Sequence, residues 1–362
     1  MSLPVNQPRG RGARSNHRGR FETLGRETFD DGWDETDGRP PPLRTSLTAE
    51  HAKTIIARND SPDIGFDRSI NPYRGCEHGC IYCYARPAHA FVGLSPGLDF
   101  ESRLFFKADA ARLLRRELAR PGYRVGSIHI GGNTDPYQPS ERRLAVTRQI
   151  IEVLERASHP FSIITKSALI MRDAELIGRM GERNLARAAI SITTLDRKLA
   201  RAMEPRAATP ARRLNAVTAL VGAGTPVSVM FAPVIPGLND HEMEAVLESA
   251  AAAGAVSAGY VVLRLPREIK DLFREWLQTD FPDRAAKVMS LVRQMRGGRD
   301  YDPDWGSRMK GEGPIAQMLG QRFAIARRRF GLDRALPPLD VNQFRRPGPE
   351  NQPDLFETVQ AS

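Results

Sequence analysis

Short β-branched runs alternate with longer stretches of helical periodicity through the middle of this chain, a pattern that points to repeated βα units on a parallel sheet. The strand-like runs fall at residues 127–131, 161–165, 188–193, 227–231 and 258–263. Thr147, Ile150, Ile151 and Leu154 share one helical face, and Leu214, Val217, Thr218 and Val221 repeat that spacing. A short run at 69–71 brings the count to six strands, fewer than the eight of a closed barrel. A partial barrel and an open doubly wound sheet both accommodate six, and periodicity does not choose between them. Gly131-Gly132 lacks the third glycine of a dinucleotide fingerprint, and Lys166-Ser167 ends like a P-loop but lacks the preceding glycines.

With 362 residues, 41% of them hydrophobic, the chain is long enough to bury a sizeable core. No eighteen apolar residues run unbroken: the most apolar window, 219–238, contains Gly222, Gly224, Pro226, Pro233 and Pro236. A soluble protein without signal peptide or membrane association is expected. The odd count of three cysteines argues against a disulfide scaffold and for the cytoplasm. A net charge of +10 suits a polyanionic partner, although only seven of the 53 basic residues are Lys, an arginine bias that a GC-rich genome also produces. Residues 1–50 and 335–362 read as disordered tails, polar and rich in Gly or Pro. They flank a core over 60–300 and a helical extension over 301–334.

The three cysteines lie in one eight-residue stretch, Cys76-Glu77-His78-Gly79-Cys80-Ile81-Tyr82-Cys83, directly after the first strand-like run. Thiolates this close together usually share a metal or cluster. A structural zinc would need a fourth ligand, which His78 could supply, but zinc sites normally combine two separated knuckles. Three thiolates suit an iron–sulfur cubane better, because they hold three irons and leave the fourth open to a small chelating molecule.

Cys76, Cys80 and Cys83 follow the radical SAM signature of three spaced cysteines, with aromatic Tyr82 before the last. The stretches Ile70-Asn71-Pro72-Tyr73-Arg74-Gly75 and Tyr84-Ala85-Arg86 around it resemble the spore photoproduct lyase branch, often labelled DNA repair photolyase. The resemblance continues through Thr134-Asp135-Pro136-Tyr137-Gln138-Pro139, Thr165-Lys166-Ser167, Ser191-Ile192-Thr193 and Met203-Glu204-Pro205. It implies a partial (β/α)6 barrel whose [4Fe–4S] cluster, at the C-terminal ends of the strands, binds S-adenosylmethionine. Reductive cleavage of that cofactor would give a 5′-deoxyadenosyl radical that abstracts hydrogen from a substrate, with the electron coming from a donor such as flavodoxin or ferredoxin. By the same resemblance Gly131, Gly132, Asn133 and Thr134 approach the methionine ammonium, Lys166 and Ser191 its carboxylate, and Tyr82 the adenine, as does the segment 233–237.

The branch also implies a DNA or nucleotide substrate. Spore photoproduct lyase uses a further cysteine as hydrogen donor, whereas all three cysteines here are assigned to the cluster, so Tyr84 or Tyr137 becomes the candidate donor. Arg264 is a further candidate for facing substrate, and His129 reads as a satisfied core histidine. Two other classes remain open: an iron–sulfur sensor or electron-transfer protein without turnover, and a zinc-stabilised binding module. Near the C-terminus, Gln352, Leu355 and Phe356 within Gln-Pro-Asp-Leu-Phe resemble the pentapeptide with which bacterial repair proteins dock on the sliding clamp.

Overall fold

The computed structural model describes residues 11–21 and 43–348; the clamp-like residues Gln352, Leu355 and Phe356 lie outside them. Six parallel strands form the central sheet: β1 (Arg68–Ile70), β2 (Ile128–Ile130), β3 (Phe161–Thr165), β4 (Ala186–Ser191), β5 (Val227–Val234) and β6 (Ser257–Val262). Each pairs with the next in chain order, and the short strand Ala57–Arg58 adds antiparallel to the outer edge of β1. A doubly wound sheet reverses direction at a switch point, and a run in strict chain order has none. The sheet is therefore that of a partial barrel, open between β1 and β6.

The outward side chains, among them Ile128, Phe161, Ile163, Ile190, Val229 and Tyr260, join one buried cluster with the helices. Those helices are α1 (Ala110–Leu118), α2 (Val146–Arg156), α3 (Ala174–Glu182), α5 (Pro210–Gly222) and α6 (Met243–Ala252); α4 (Arg197–Met203) follows β4. The alternate residues on the strands, His129, Ser162, Ile164, Arg187, Ala189, Ser228, Met230, Gly259 and Val261, are all half-buried. Strand side chains alternate between faces, so the inner face is the less densely covered one. An eight-stranded barrel fills its interior with layers of side chains; here the inward side chains stay partly exposed.

Two further helices, α7 (Ile269–Asp280) and α8 (Pro282–Gln294), build a second buried cluster in which Phe273, Trp276 and Val288 join Cys80, Ile81, Tyr82 and Met203. Past α9 (Gly313–Arg329), the chain covers the outer edge of β6, where the Ala258 amide donates to the Leu332 carbonyl at 3.1 Å. Parts of the sequence read as tails are placed on the core. Residues 11–21 lie over the cysteine loop and α7, with Ser15 Oγ 2.6 Å from Glu275 Oε2. On the other side Phe344 packs on Tyr123 and His159, and the Arg345 amide donates to the Ala157 carbonyl at 2.8 Å.

Three histidines are held neutral in this framework. His89 Nε2 is 3.0 Å from the Arg103 carbonyl, His129 Nδ1 is 2.9 Å from Ser162 Oγ with its ring stacked on Phe66, and His159 Nε2 is 2.8 Å from Tyr123 Oη. Burial lowers each to about 4. The unfolded chain takes up these protons near pH 6.5 and the folded chain only near 4, so their contribution to stability is complete above pH 6.5 and is lost as pH falls from there through 4. The urea midpoint should accordingly drop between pH 7 and pH 5, and the drop should shrink in a His89→Gln/His159→Gln variant. A slope identical in both proteins would contradict the assignment.

Candidate active site

The cysteine loop leaves the C-terminal end of β1 through a short strand, Tyr73–Arg74, and turns at two glycines in the left-handed region. Gly75 has φ +76°, and a Cβ there would stand 2.6 Å from Leu104 Cδ2; Gly79 has φ +66°, and a Cβ would stand 2.6 Å from Glu101 Oε2. No other residue type fits such positions without displacing a neighbour. The loop is tied at each stage: the Cys76 amide donates to the Phe100 carbonyl at 2.9 Å, the Ile81 amide to the Met203 carbonyl at 3.0 Å, and the Cys83 amide to the Cys80 carbonyl at 3.2 Å. The Glu77 amide donates to Gln138 Oε1 at 2.8 Å, while the Glu77 carboxylate accepts from Ser140 and Thr45 and pairs with Arg206.

Behind the loop Arg86, with no exposed surface, donates from Nε to the Cys80 carbonyl at 2.9 Å, from Nη1 to the Pro96 and Gly97 carbonyls at 3.0 Å each, and from Nη2 to the Gly79 carbonyl at 3.1 Å and Glu101 Oε1 at 2.5 Å. Glu101 also accepts the Gly12 and Ala13 amides, at 2.8 and 2.7 Å, so the N-terminal segment covers this pair.

Two more buried carboxylates organise the strand ends. Glu204 accepts from Tyr82 Oη, from Arg213 Nη2 and, at 3.0 Å, from Thr193 Oγ1. Burial, the largest single influence, raises its pKa, but the charges of Arg213 and Lys166 and the hydrogen bonds from Arg213 and Tyr82 together outweigh it and the net shift is downward. Asp135 accepts from Thr165 Oγ1 at 2.6 Å, the Lys166 amide at 2.7 Å and the Tyr137 amide at 2.9 Å, and its other neighbour is His78 Nδ1 at 3.3 Å. Burial again opposes ionisation, yet the His78 charge and these hydrogen bonds prevail and leave Asp135 at about 2.

The structure brings most of the residues singled out from sequence to one end of the barrel. Lys166 directly follows β3, and its ammonium stands 5.8 Å from the Tyr82 ring centroid; among the described residues no carboxylate lies within ion-pair distance of it. Gly131, with φ +95°, turns the chain after β2, where a Cβ would meet the Ile164 carbonyl at 2.8 Å. The Gly132 carbonyl accepts from Tyr84 Oη, the Asn133 amide donates to Asn71 Oδ1 at 2.8 Å, and Thr134 Oγ1 donates to the Tyr73 carbonyl at 2.8 Å. Ser191 ends β4, buried, with its carbonyl accepting from Arg213 Nη1 at 3.0 Å. Tyr84 is 46% exposed beside Cys83. Tyr137, by contrast, does not reach the open end: it is fully buried in the main core and its hydroxyl donates to Asp173 Oδ2 at 3.0 Å. The apolar surroundings and the Asp173 anchor withdraw it from the position of a hydrogen donor.

All three thiols are free; Cys76 and Cys80 are buried and Cys83 half-buried. Burial first, and for Cys76 the neighbouring Asp135, Cys80 and Cys83 next, push the thiol pKa values up. Thiolates confined in each other's field in this way need cationic partners, and the irons of a cluster are such partners. Among the described residues no three His, Cys, Asp or Glu are arranged to hold a single metal ion. His78, the fourth ligand of the zinc alternative, is turned to Asp135. Three free thiols in one loop are donors of the kind that an iron–sulfur cluster takes. Arg86 and Glu204 lie within stretches that carried the resemblance but were given no role there, and Glu101 and Arg213 escaped the sequence reading, because each works through a partner from a different turn or helix with no local spacing to flag it. Removing Glu204 strands the Arg213 cation in the core, so Glu204→Ala should lose about 3–5 kcal/mol of stability. The double variant Glu204→Ala/Arg213→Met should recover part of that, and equal urea midpoints for the single and double variants would count against the pairing.

Residues 70–250 match the family model of the Radical SAM superfamily. An uncharacterized protein of Mycobacterium tuberculosis is 37% identical over 231 residues, which span 63% of this chain and 68% of the relative. Another, from Methanocaldococcus jannaschii, is 25% identical over 214 residues, or 59% of this chain and 76% of the relative. Among solved structures, spore photoproduct lyase complexed with dinucleoside spore photoproduct superposes with a TM-score of 0.55 at 14% identity, covering 78% of this chain and 79% of the lyase. A variant of that lyase with bound AdoMet and dinucleoside spore photoproduct gives 0.53 at 15% identity, with the same coverage of 78% and 79%. At these identities the likeness is one of fold. The sequential open barrel, the three-cysteine loop at the end of its first strand and the family match together place this chain in the radical SAM superfamily, as an enzyme with a spore photoproduct lyase-like fold.

Proposed function

We propose that Cys76, Cys80 and Cys83 hold a [4Fe–4S] cluster, that S-adenosylmethionine binds beside it, and that the enzyme acts on a nucleotide or nucleic acid. The observation that carries this reading is the convergence of three free thiols, the unpaired Lys166 ammonium and the half-exposed Tyr84 ring at the open end of a barrel whose inner face is only half-covered. The chemistry that such a cluster and cofactor supply when bound is one-electron cleavage of the sulfonium C–S bond, which equips the site to attack an unactivated C–H bond. The spore photoproduct lyase structures with bound dinucleoside support the substrate class.

The chain's own residues bind and position. Lys166 contributes a charge for the carboxylate of S-adenosylmethionine, and charge-assisted hydrogen bonds of this kind are worth about 1.5–3 kcal/mol. The backbone at Gly131 and Gly132, with Asn133 and Thr134, is assigned to the methionine ammonium, and Ser191 joins Lys166 at the carboxylate. Tyr82, anchored through its hydroxyl to Glu204, offers its ring to the adenine. Tyr84 is the candidate for passing hydrogen to substrate. Reduction calls for an external donor such as flavodoxin or ferredoxin.

Anaerobically reconstituted protein should carry four irons and four sulfides and release 5′-deoxyadenosine when reduced with S-adenosylmethionine. Cys80→Ala should fail to assemble a stable cluster. Lys166→Ala should keep the cluster and bind the cofactor roughly tenfold more weakly. A full cluster in the first variant, or unchanged cofactor affinity in the second, would refute the corresponding role; a colourless protein with one zinc would favour the binding module, and a reducible cluster without 5′-deoxyadenosine the sensor. Clamp docking through Gln352, Leu355 and Phe356 is a separate proposal, supported by an apolar pair in a polar, proline-rich stretch. A peptide spanning residues 347–362 should bind purified sliding clamp in fluorescence anisotropy and lose binding on Leu355→Ala/Phe356→Ala.

A further inference from the structure

The cations around the mouth of the barrel are mostly committed. Arg86 is paired with Glu101, Arg213 with Glu204, Arg206 with Glu77 and Arg308 with Asp63. Arg264, two residues beyond β6, is different. Its Nε is buried and makes no hydrogen bond, and the polar contact of its guanidinium is a weak one, from Nη1 to Met309 Sδ at 3.4 Å. The guanidinium stands 5.4 Å from the centroid of the Tyr84 ring, which is 46% exposed next to the last cysteine of the loop.

A carboxylate is available nearby but is already used. Asp63 stands in the field of Arg264, yet it accepts the Gly306 amide at 2.7 Å and pairs with Arg308, which also donates to Ser61 Oγ at 2.5 Å. These contacts tie residues 61–63, just before β1, to residues 306–308, beyond β6, and so bridge the open side of the barrel. The buried Arg296, a further neighbouring cation, donates to the Ser307 and Leu263 carbonyls, both at 2.9 Å. Asp302 and Glu312 also act on Arg296, so among these guanidiniums Arg264 is the one without a strong acceptor.

A planar guanidinium with free donors beside an aromatic face matches a phosphate next to a base. We propose that Arg264 is the docking residue for a phosphate of the substrate, and that Tyr84 lies beneath the adjoining nucleoside. This assignment rests on the nucleotide or nucleic acid reading and adds to it the anchor that fixes the substrate at the end of the barrel opposite Lys166 in strand order. In that division Lys166, after β3, serves the carboxylate of the cofactor, and Arg264, after β6, serves the phosphate of the substrate.

The test uses the full-length reconstituted enzyme, with a fluorescein-labelled ten-nucleotide oligothymidylate and inorganic pyrophosphate as probes. Arg264→Gln should bind the oligonucleotide at least tenfold more weakly than the unaltered enzyme, with the slope of log affinity against log salt reduced by about one. Arg264→Lys should fall between the two. Both variants should bind S-adenosylmethionine normally and unfold at the same urea concentration as the parent. Equal oligonucleotide binding by parent and Arg264→Gln would overturn the assignment and leave the nucleic acid reading standing. If the parent ignores the oligonucleotide but binds pyrophosphate, and Arg264→Gln does not, the anion site is supported and polymeric nucleic acid is excluded as the ligand. Failure of the parent to bind either probe would overturn both.

Discussion

One buried guanidinium holds the cysteine loop in shape. Arg86 directs its donors at the carbonyls of Gly79, Cys80, Pro96 and Gly97 and at Glu101, so the backbone on both sides of Cys80 hangs from a single rigid fork. A loop this tight cannot satisfy its own carbonyls through a ladder, and buried carbonyls without partners are costly. Arg86 resolves that requirement, and Glu101 neutralises the charge that does so. Amides of Gly12 and Ala13 fill the remaining capacity of Glu101, which is why the N-terminal segment is drawn over the loop.

The same arrangement recurs at the other strand ends: a buried carboxylate gathers groups from several βα units and fixes them relative to the thiols. Glu204 ties Tyr82, in the loop after β1, to Thr193 beyond β4 and Arg213 on α5. Asp135 ties the turn after β2 to the end of β3 and to His78. These ties run across the open end of the barrel rather than along any one element. A buried pair of this kind is costly to break from one side, so the charges inside the rim act as constraints on position, whereas Lys166 and Arg264 have no ion-pair partner among the described residues.

An open, sequentially ordered sheet suits that division. Because β6 does not return to β1, the interior is bounded on one side by the contacts from Asp63 and Ser61 to residues 306–308 rather than by a strand. Side chains on the inner face, from His129 to Val261, are only half-covered, unlike the filled interior of a closed eight-stranded barrel.

Much of this was legible in the sequence. The six strand-like runs mark the six parallel strands to within a few residues, because apolar alternation and β-branching act locally. The cysteine spacing marked the loop, since three thiols in eight residues have few uses, and the family resemblance, not any spacing, flagged Lys166. The choice between a partial barrel and a doubly wound sheet was not legible from periodicity, because strand order is decided by which edges meet and not by any single segment. Tyr137 shows the same boundary from the other side: sequence places it near a strand top, but only tertiary packing decides that its hydroxyl turns to Asp173 inside the core. The pairings of Arg86 with Glu101 and of Glu204 with Arg213 had no local signature, since a buried charge is defined by a partner brought in from elsewhere in the chain. The sequence by itself marked which residues are candidates for chemistry; the folded structure decided which of their charges are spent on one another and which have no partner among the described residues, because that depends on distances no linear spacing records.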